Sequence, residues 1–150
     1  MRTFLVSAAS AALIAGGVTA TPAMAAPSGQ SAPSAVGTYI TNGDRVHVSS
    51  TPPRTASAHG WWIKVSGAGT KAKVTIWLQM KKSNGKWRSV AKGQKNVKSG
   101  GGSSRRANVR KTCANAQKRQ WRSLIDVDII GVSDSPEKAV TKAVTVRCGL

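Results

Sequence analysis

Carboxylates are the scarcest chemical group in this chain. Its 150 residues hold five Asp and Glu against 23 Lys and Arg, a formal net charge of +18. The acids are Asp44, Asp126, Asp128, Asp134 and Glu137, so the segment between Asp44 and Asp126 carries 19 basic residues and no acid. Neutralisation of that segment from within is excluded, and its cations must face water and project a positive field. Acid–base side chains are equally sparse. The only histidines are His47 and His59 and the only tyrosine is Tyr39, which leaves little for general acid–base catalysis. Two cysteines, Cys113 and Cys148, are too few for a thiolate metal site, and both histidines lie far from them in sequence. No metal site is expected on that count. A C-x-x-C redox pair is absent as well.

What is present begins at the N-terminus. Met1-Arg2-Thr3 is a short positive start, Phe4 to Val18 is apolar and uncharged, and Ala23-Met24-Ala25 is a small-x-small pattern. Residues 1–25 therefore read as a secretory signal peptide, cleaved before Ala26. The run is too short and too rich in Ala, Ser and Gly for a transmembrane helix. Loss of Arg2 lowers the net charge from +18 to +17. No second hydrophobic span follows, no Cys marks a lipid attachment, and no hydrophobic tail ends the chain. The expectation is a protein secreted to the extracellular space without an integral membrane anchor. In that oxidising setting Cys113 and Cys148 have one intramolecular pairing. It closes a loop of about 36 residues, worth about 3 to 4 kcal/mol in the chain-entropy picture.

Residues 26–43 read as a flexible N-terminal tail, Pro-containing and rich in small residues at its start. Residues 44–150 read as one domain with period-two patterning almost throughout. Arg45 to Ser49 alternates and stops at Pro52-Pro53. Trp61, Ile63 and Val65 share one strand face, with Trp62, Lys64 and Ser66 on the other. The clearest strand puts Ala72, Val74, Ile76, Leu78 and Met80 inward. Lys71, Lys73, Thr75, Trp77, Gln79 and Lys81 then point outward. Ser83-Asn84-Gly85 is a hairpin turn, and residues 86–91 return. Ser99 to Ser104 is a Gly-rich loop, flexible by composition. Ala107 to Cys113 is a further strand. Gln120 to Ile130 directs Trp121, Ser123, Ile125, Val127 and Ile129 inward. After Asp134-Ser135-Pro136, a last strand carries Val140, Val144, Val146 and Cys148 on its inner row. About seven antiparallel strands and no amphipathic helix predict an all-β sandwich, with a small barrel as the alternative.

Two segments, Asn84-Gly85-Lys86-Trp87-x-x-Val90 and Trp121-Arg122-x-x-Ile125-Asp126-Val127, resemble the hairpin and late strand of bacterial immunoglobulin-like or fibronectin-like sandwiches. Together with Gly60-Trp61-Trp62, the signal peptide and the terminal Cys148, they resemble small secreted actinobacterial proteins of unassigned function. The resemblance spans residues 44–148 and implies an immunoglobulin-like fold and an extracellular location. It transfers no catalytic residue. Both cysteines come late, so a Cys113–Cys148 bridge differs from the inter-sheet bridge of antibody domains.

Candidate sites follow from charge and strand parity. Asp126 and Asp128 lie about 7 Å apart on one strand face, a spacing open to glycosidase-like chemistry. The plainer reading pairs them with Lys or Arg across the strand. A Ca2+ site with Asp134 is short of oxygens. His59, before Gly60-Trp61-Trp62, reads as a turn residue. No catalytic residue and no cofactor is expected. Lys71, Lys73, Lys81, Arg105, Arg106, Arg110 and Lys111 are the candidate polyanion-binding cations, with Trp77 and Trp62 as stacking platforms. The ligands expected are anionic polymers such as teichoic acid, nucleic acid or polyphosphate. Against this stands the reading that the charge only keeps the protein soluble and that Trp77 packs under lysine stems. A carbohydrate-binding sandwich, a cationic antimicrobial protein and a protease inhibitor complete the alternatives.

Overall fold

Alternating polar and apolar residues impose strands, and nearly every described segment of this chain forms one. The computed structural model describes residues 37–133 and 138–150. The segment read as a signal peptide, most of the expected tail and the turn expected at Asp134-Ser135-Pro136 lie outside them. Nine strands follow in order: β1 Tyr39–Gly43, β2 His47–Val48, β3 Thr55–Lys64, β4 Lys71–Lys81, β5 Trp87–Lys98, β6 Ala107–Thr112, β7 Asn115–Ile129, β8 Lys138–Val140 and β9 Val144–Gly149.

Two antiparallel sheets form a β-sandwich. In the first, β3 pairs with β6 along one edge, while β1 and then β2 follow each other along the opposite edge. In the second, β4 lies between β5 and β7, and the far edge of β7 carries β8 and β9. Strand β4 folds as its periodicity requires, since Ala72, Val74, Ile76 and Leu78 are all fully buried. The hairpin after it turns at Gly85, whose φ of +79° favours glycine. In β7, Trp121, Ser123, Ile125, Val127 and Ile129 are inward, as the alternation demands. Strands β5 and β6, of different sheets, approach closely. A Cβ at Gly93 would collide with the Asn108 carbonyl, so only glycine allows the two backbones to approach.

Two tryptophans anchor the core between the sheets. Trp62 and Trp121 are the largest fully buried side chains. Each satisfies its indole N–H, Trp62 Nε1 donating to the Val97 carbonyl at 3.1 Å and Trp121 Nε1 to the Cys148 carbonyl at 2.9 Å. The Cys113–Cys148 disulfide forms, with Cα atoms 4.9 Å apart, and ties the link between β6 and β7 to the end of β9.

Several sequence expectations are corrected. Residues 39–43 belong to no tail, because β1 pairs fully with β3 from Tyr39↔Lys64 to Gly43↔Gly60. Trp62 is no surface platform. The inner face of β3 is Ala56, Ala58, Gly60 and Trp62, while Val65, just past the strand, is 59% exposed. Small residues at three of those four positions leave room for the indole and for Ile125, whose methyl groups press on Gly60. Thr75, expected outside, is buried among its outer-face neighbours Lys73, Trp77, Gln94 and Asp126. The final strand is two strands, and Val140 faces outward opposite Leu124 at 50% exposure.

Candidate polyanion surface and histidine cleft

Parity places the outer face of the β4 sheet. Lys71, Lys73, Trp77, Gln79 and Lys81 of β4 stand beside Lys98, Asn96, Lys92, Ser89 and Trp87 of β5. On the other side, Asp128, Leu124 and Arg122 of β7 stand beside Lys73, Trp77 and Gln79. The result is a row of tryptophans interleaved with cations. Lys92 and Lys138 place their ammonium groups 5.5 and 5.9 Å from the Trp77 ring. Arg122 stacks 4.3 Å from the Trp87 ring, and Lys81 lies 5.9 Å from it. Gln79 fixes that arrangement, since its Oε1 accepts from Arg122 Nε at 2.8 Å and its Nε2 donates to Ser89. Each such contact contributes about 0.5–1 kcal/mol at an exposed site. Trp77 is thus half-buried and engaged by lysines, rather than a bare platform.

The acids on this face are spent on lysines. Lys73 Nζ lies 2.8 Å from Asp128, and Lys138 Nζ lies 3.6 Å from Asp126. The hydrogen bond to Asp128, and then its charge, hold the Lys73 ammonium above the ordinary lysine value. Among the described residues, Lys73 is therefore the one candidate cation that meets a carboxylate. The two carboxylates of β7 thus pair with lysines of the neighbouring strands. Among the described residues no other lysine or arginine side chain meets a carboxylate.

The seven candidate cations do not form one patch. Lys71, Lys73 and Lys81 share the β4 face. Arg105 sits in a single 3-10 turn, Ser103–Arg105, and folds back so that its Nη1 donates to the Ser99 carbonyl at 2.9 Å. Arg106 lies over the Trp61 ring at 5.8 Å. Arg110 stands on the outer face of the other sheet, opposite Ser57, and Lys111 opposite Ala56. The Gly-rich loop is pinned as well: the Gly100 N–H donates to the Trp62 carbonyl and the Lys64 N–H to Ser99 Oγ. Residues missed from sequence are Lys92, Lys98, Arg122 and Lys138. Their place depends on register, and β5 is shifted by a bulge at Leu78/Gln79. A second basic ribbon was also missed. The first half of β7 pairs with β9, setting Lys118 opposite Arg147, with Arg119 on the other face of the strand.

The outer face of the β3 sheet holds a different arrangement. His47 pairs in register with Ser57, and its Nε2 lies 2.9 Å from Ser57 Oγ. The Arg45 carbonyl, 3.4 Å from Nδ1, can only accept, so in this tautomer Nδ1 carries the proton and Ser57 donates to Nε2. His59, placed in β3 rather than in a turn, lies beside His47 with ring centres 5.6 Å apart. Asp44 grips His59 twice. Its Oδ1 accepts from the His59 backbone N–H at 2.6 Å, and its Oδ2 lies 2.7 Å from Nδ1. A cleft of about 590 Å3 opens alongside, lined by His47, Ser49, Thr51, Pro52, Pro53, Thr55, Ser57 and Arg110.

The fold and its surface define a disulfide-bonded β-sandwich most of whose cations meet no carboxylate among the described residues. No protein family, curated protein or solved structure matches the chain.

Proposed function

We propose that the mature protein is secreted and acts, without catalysis, as a binder of extracellular polyanions such as teichoic acid, nucleic acid or polyphosphate. The observation that carries this reading is the juxtaposition of like charges across paired strands. Lys71 stands opposite Lys98, and Lys118 opposite Arg147. Directly opposed like charges destabilise a sheet, and no described carboxylate contacts any of the four. A chain of phosphates or sulfates laid over them relieves the repulsion and releases counterions. Lys81, Lys92 and Arg122 extend the first pair along the same face.

Carbohydrate recognition by stacking draws less support. Trp62 is enclosed, and Trp77 and Trp87 already carry cations against their rings. The test is a binding panel with medium-derived protein whose N-terminus has been sequenced. Retention by heparin, polyphosphate and single-stranded DNA, with none by neutral glycans and no leakage from anionic liposomes, supports the reading. Replacing Lys71, Lys98, Lys118 and Arg147 together by Gln should then lower polyanion affinity at least tenfold. Selective retention by neutral glycans, or a start at Met1, refutes it.

A further inference from the structure

The chain has two histidines and five acids in all, and the fold brings both histidines and one of the acids to one place. Strand parity does this. His47 stands opposite Ser57, and His59 follows two residues along β3 on the same outward face. Asp44 enters from the link between β1 and β2. One donor atom from each of the three lies within 4.8 Å of the other two. In a protein with 23 lysines and arginines, Asp44 meets none of them among the described residues and is given to His59.

We propose that Asp44, His47 and His59 bind a divalent transition-metal ion of the imidazole-preferring class, Zn2+ or Cu2+. Two imidazole nitrogens and one carboxylate oxygen are the donor set such ions select, whereas Ca2+ requires six to eight oxygens. An ion about 2.0–2.2 Å from each donor holds donors roughly 3–3.5 Å apart, so the present cluster needs to close by little more than an ångström. Between His59 Nδ1 and Asp44 Oδ2, now 2.7 Å apart, the ion takes the place of the shared proton, and His59 binds as the neutral imidazole with its one proton on Nε2. At His47 it takes Nδ1, at the expense of the 3.4 Å contact with the Arg45 carbonyl. The proton then moves to Nε2, which donates to Ser57 Oγ and orients the ring from behind. His47 is exposed and also lines the cleft, so water or a small anion completes the coordination. The proposal does not rest on the polyanion reading, although Arg110 of the candidate cations also lines this cleft.

The test is calorimetric titration of the oxidised protein with ZnCl2 and with CuCl2, and with CaCl2 as the control. With both cysteines in the disulfide, no thiolate competes. Expected are one equivalent of Zn2+ or Cu2+, none of Ca2+, and joint displacement of both histidine ring signals in NMR. His47→Ala and His59→Ala should each weaken binding at least tenfold, and the double variant should abolish it. Because Asp44 also braces β3, His59→Gln with an unchanged far-UV spectrum serves as the folded control. No saturable binding up to 100-fold excess metal, or undiminished binding by the double histidine variant, overturns the proposal.

Discussion

Trp62 stands on the inward row of β3 with Ala56, Ala58 and Gly60, and its truncation measures what that packing is worth. The side chain is fully buried, its Nε1 donates to the Val97 carbonyl at 3.1 Å, and its ring meets Tyr39 edge-on with centroids 6.0 Å apart. Trp62→Ala removes the ring and leaves a cavity, a change that costs about 3–5 kcal/mol in well-packed cores. Losing the partner of the buried Val97 carbonyl adds roughly 1 kcal/mol. A total near 4–6 kcal/mol is a large part of the about 5–15 kcal/mol available to a domain. Trp62→Phe keeps most of the volume and should cost about 1–2.5 kcal/mol, chiefly the indole hydrogen bond and a smaller void. Trp77→Ala, on the outer face, removes two cation–ring contacts and partial burial and should cost less than about 2 kcal/mol. Urea unfolding of the three variants, followed by far-UV circular dichroism at constant m-value, orders them. A Trp77→Ala cost equal to or above that of Trp62→Ala would refute the placement of the two rings.

The Cys113–Cys148 bridge spans 35 residues, so Cys113→Ala with Cys148→Ala should lower unfolding free energy by about 3–4 kcal/mol, and thiol titration of the folded wild type should find no free thiol. The Lys73–Asp128 pair gives an alkaline signature. Because the folded state raises the Lys73 pKa, its contribution is complete below the ordinary lysine value of 10.5 and disappears as pH climbs through the raised one. The stability gap between wild type and Lys73→Gln should therefore be constant from neutral pH up to that window and narrow above it. A gap that widens with alkalinity contradicts the pairing.

Much of the fold was legible because it repeats every second residue. The β4 row from Ala72 to Leu78 and the β7 row from Trp121 to Ile129 carry bulky apolar groups at alternate positions, and hydrophobic burial leaves such strands a single register. The segment around Trp62 was misread because both faces of Trp61-Trp62-Ile63 are apolar. The deciding signal was upstream, in Ala56, Ala58 and Gly60, which are too small to register as an inward row. Strand β1 reads Tyr-Ile-Thr-Asn-Gly, polar enough to pass for a tail, and it is held by pairing with β3 rather than by its own pattern. The cation surface was legible as charge but not as place. Lys71 and Lys98 are opposed only once the β4–β5 register is known, and the same holds for Lys118 and Arg147. The histidine cluster was invisible for the same reason. His47 and His59 become neighbours through the β2–β3 pairing, and nothing in their spacing along the chain announces it.

The most direct test of the polyanion reading is the salt dependence of binding to a single defined ligand. Affinity of the mature protein for polyphosphate, measured by fluorescence anisotropy from low to physiological ionic strength, should fall linearly on a log–log plot. The slope gives the number of ion contacts, at about 0.7 to 0.9 per phosphate neutralised. If Lys71, Lys98, Lys118 and Arg147 contact the polymer, the variant with Gln at all four should lose about 3 to 4 units of that slope. Binding that is absent at low salt, or that is present with the same slope in wild type and variant, would contradict the assignment of function to these opposed cations.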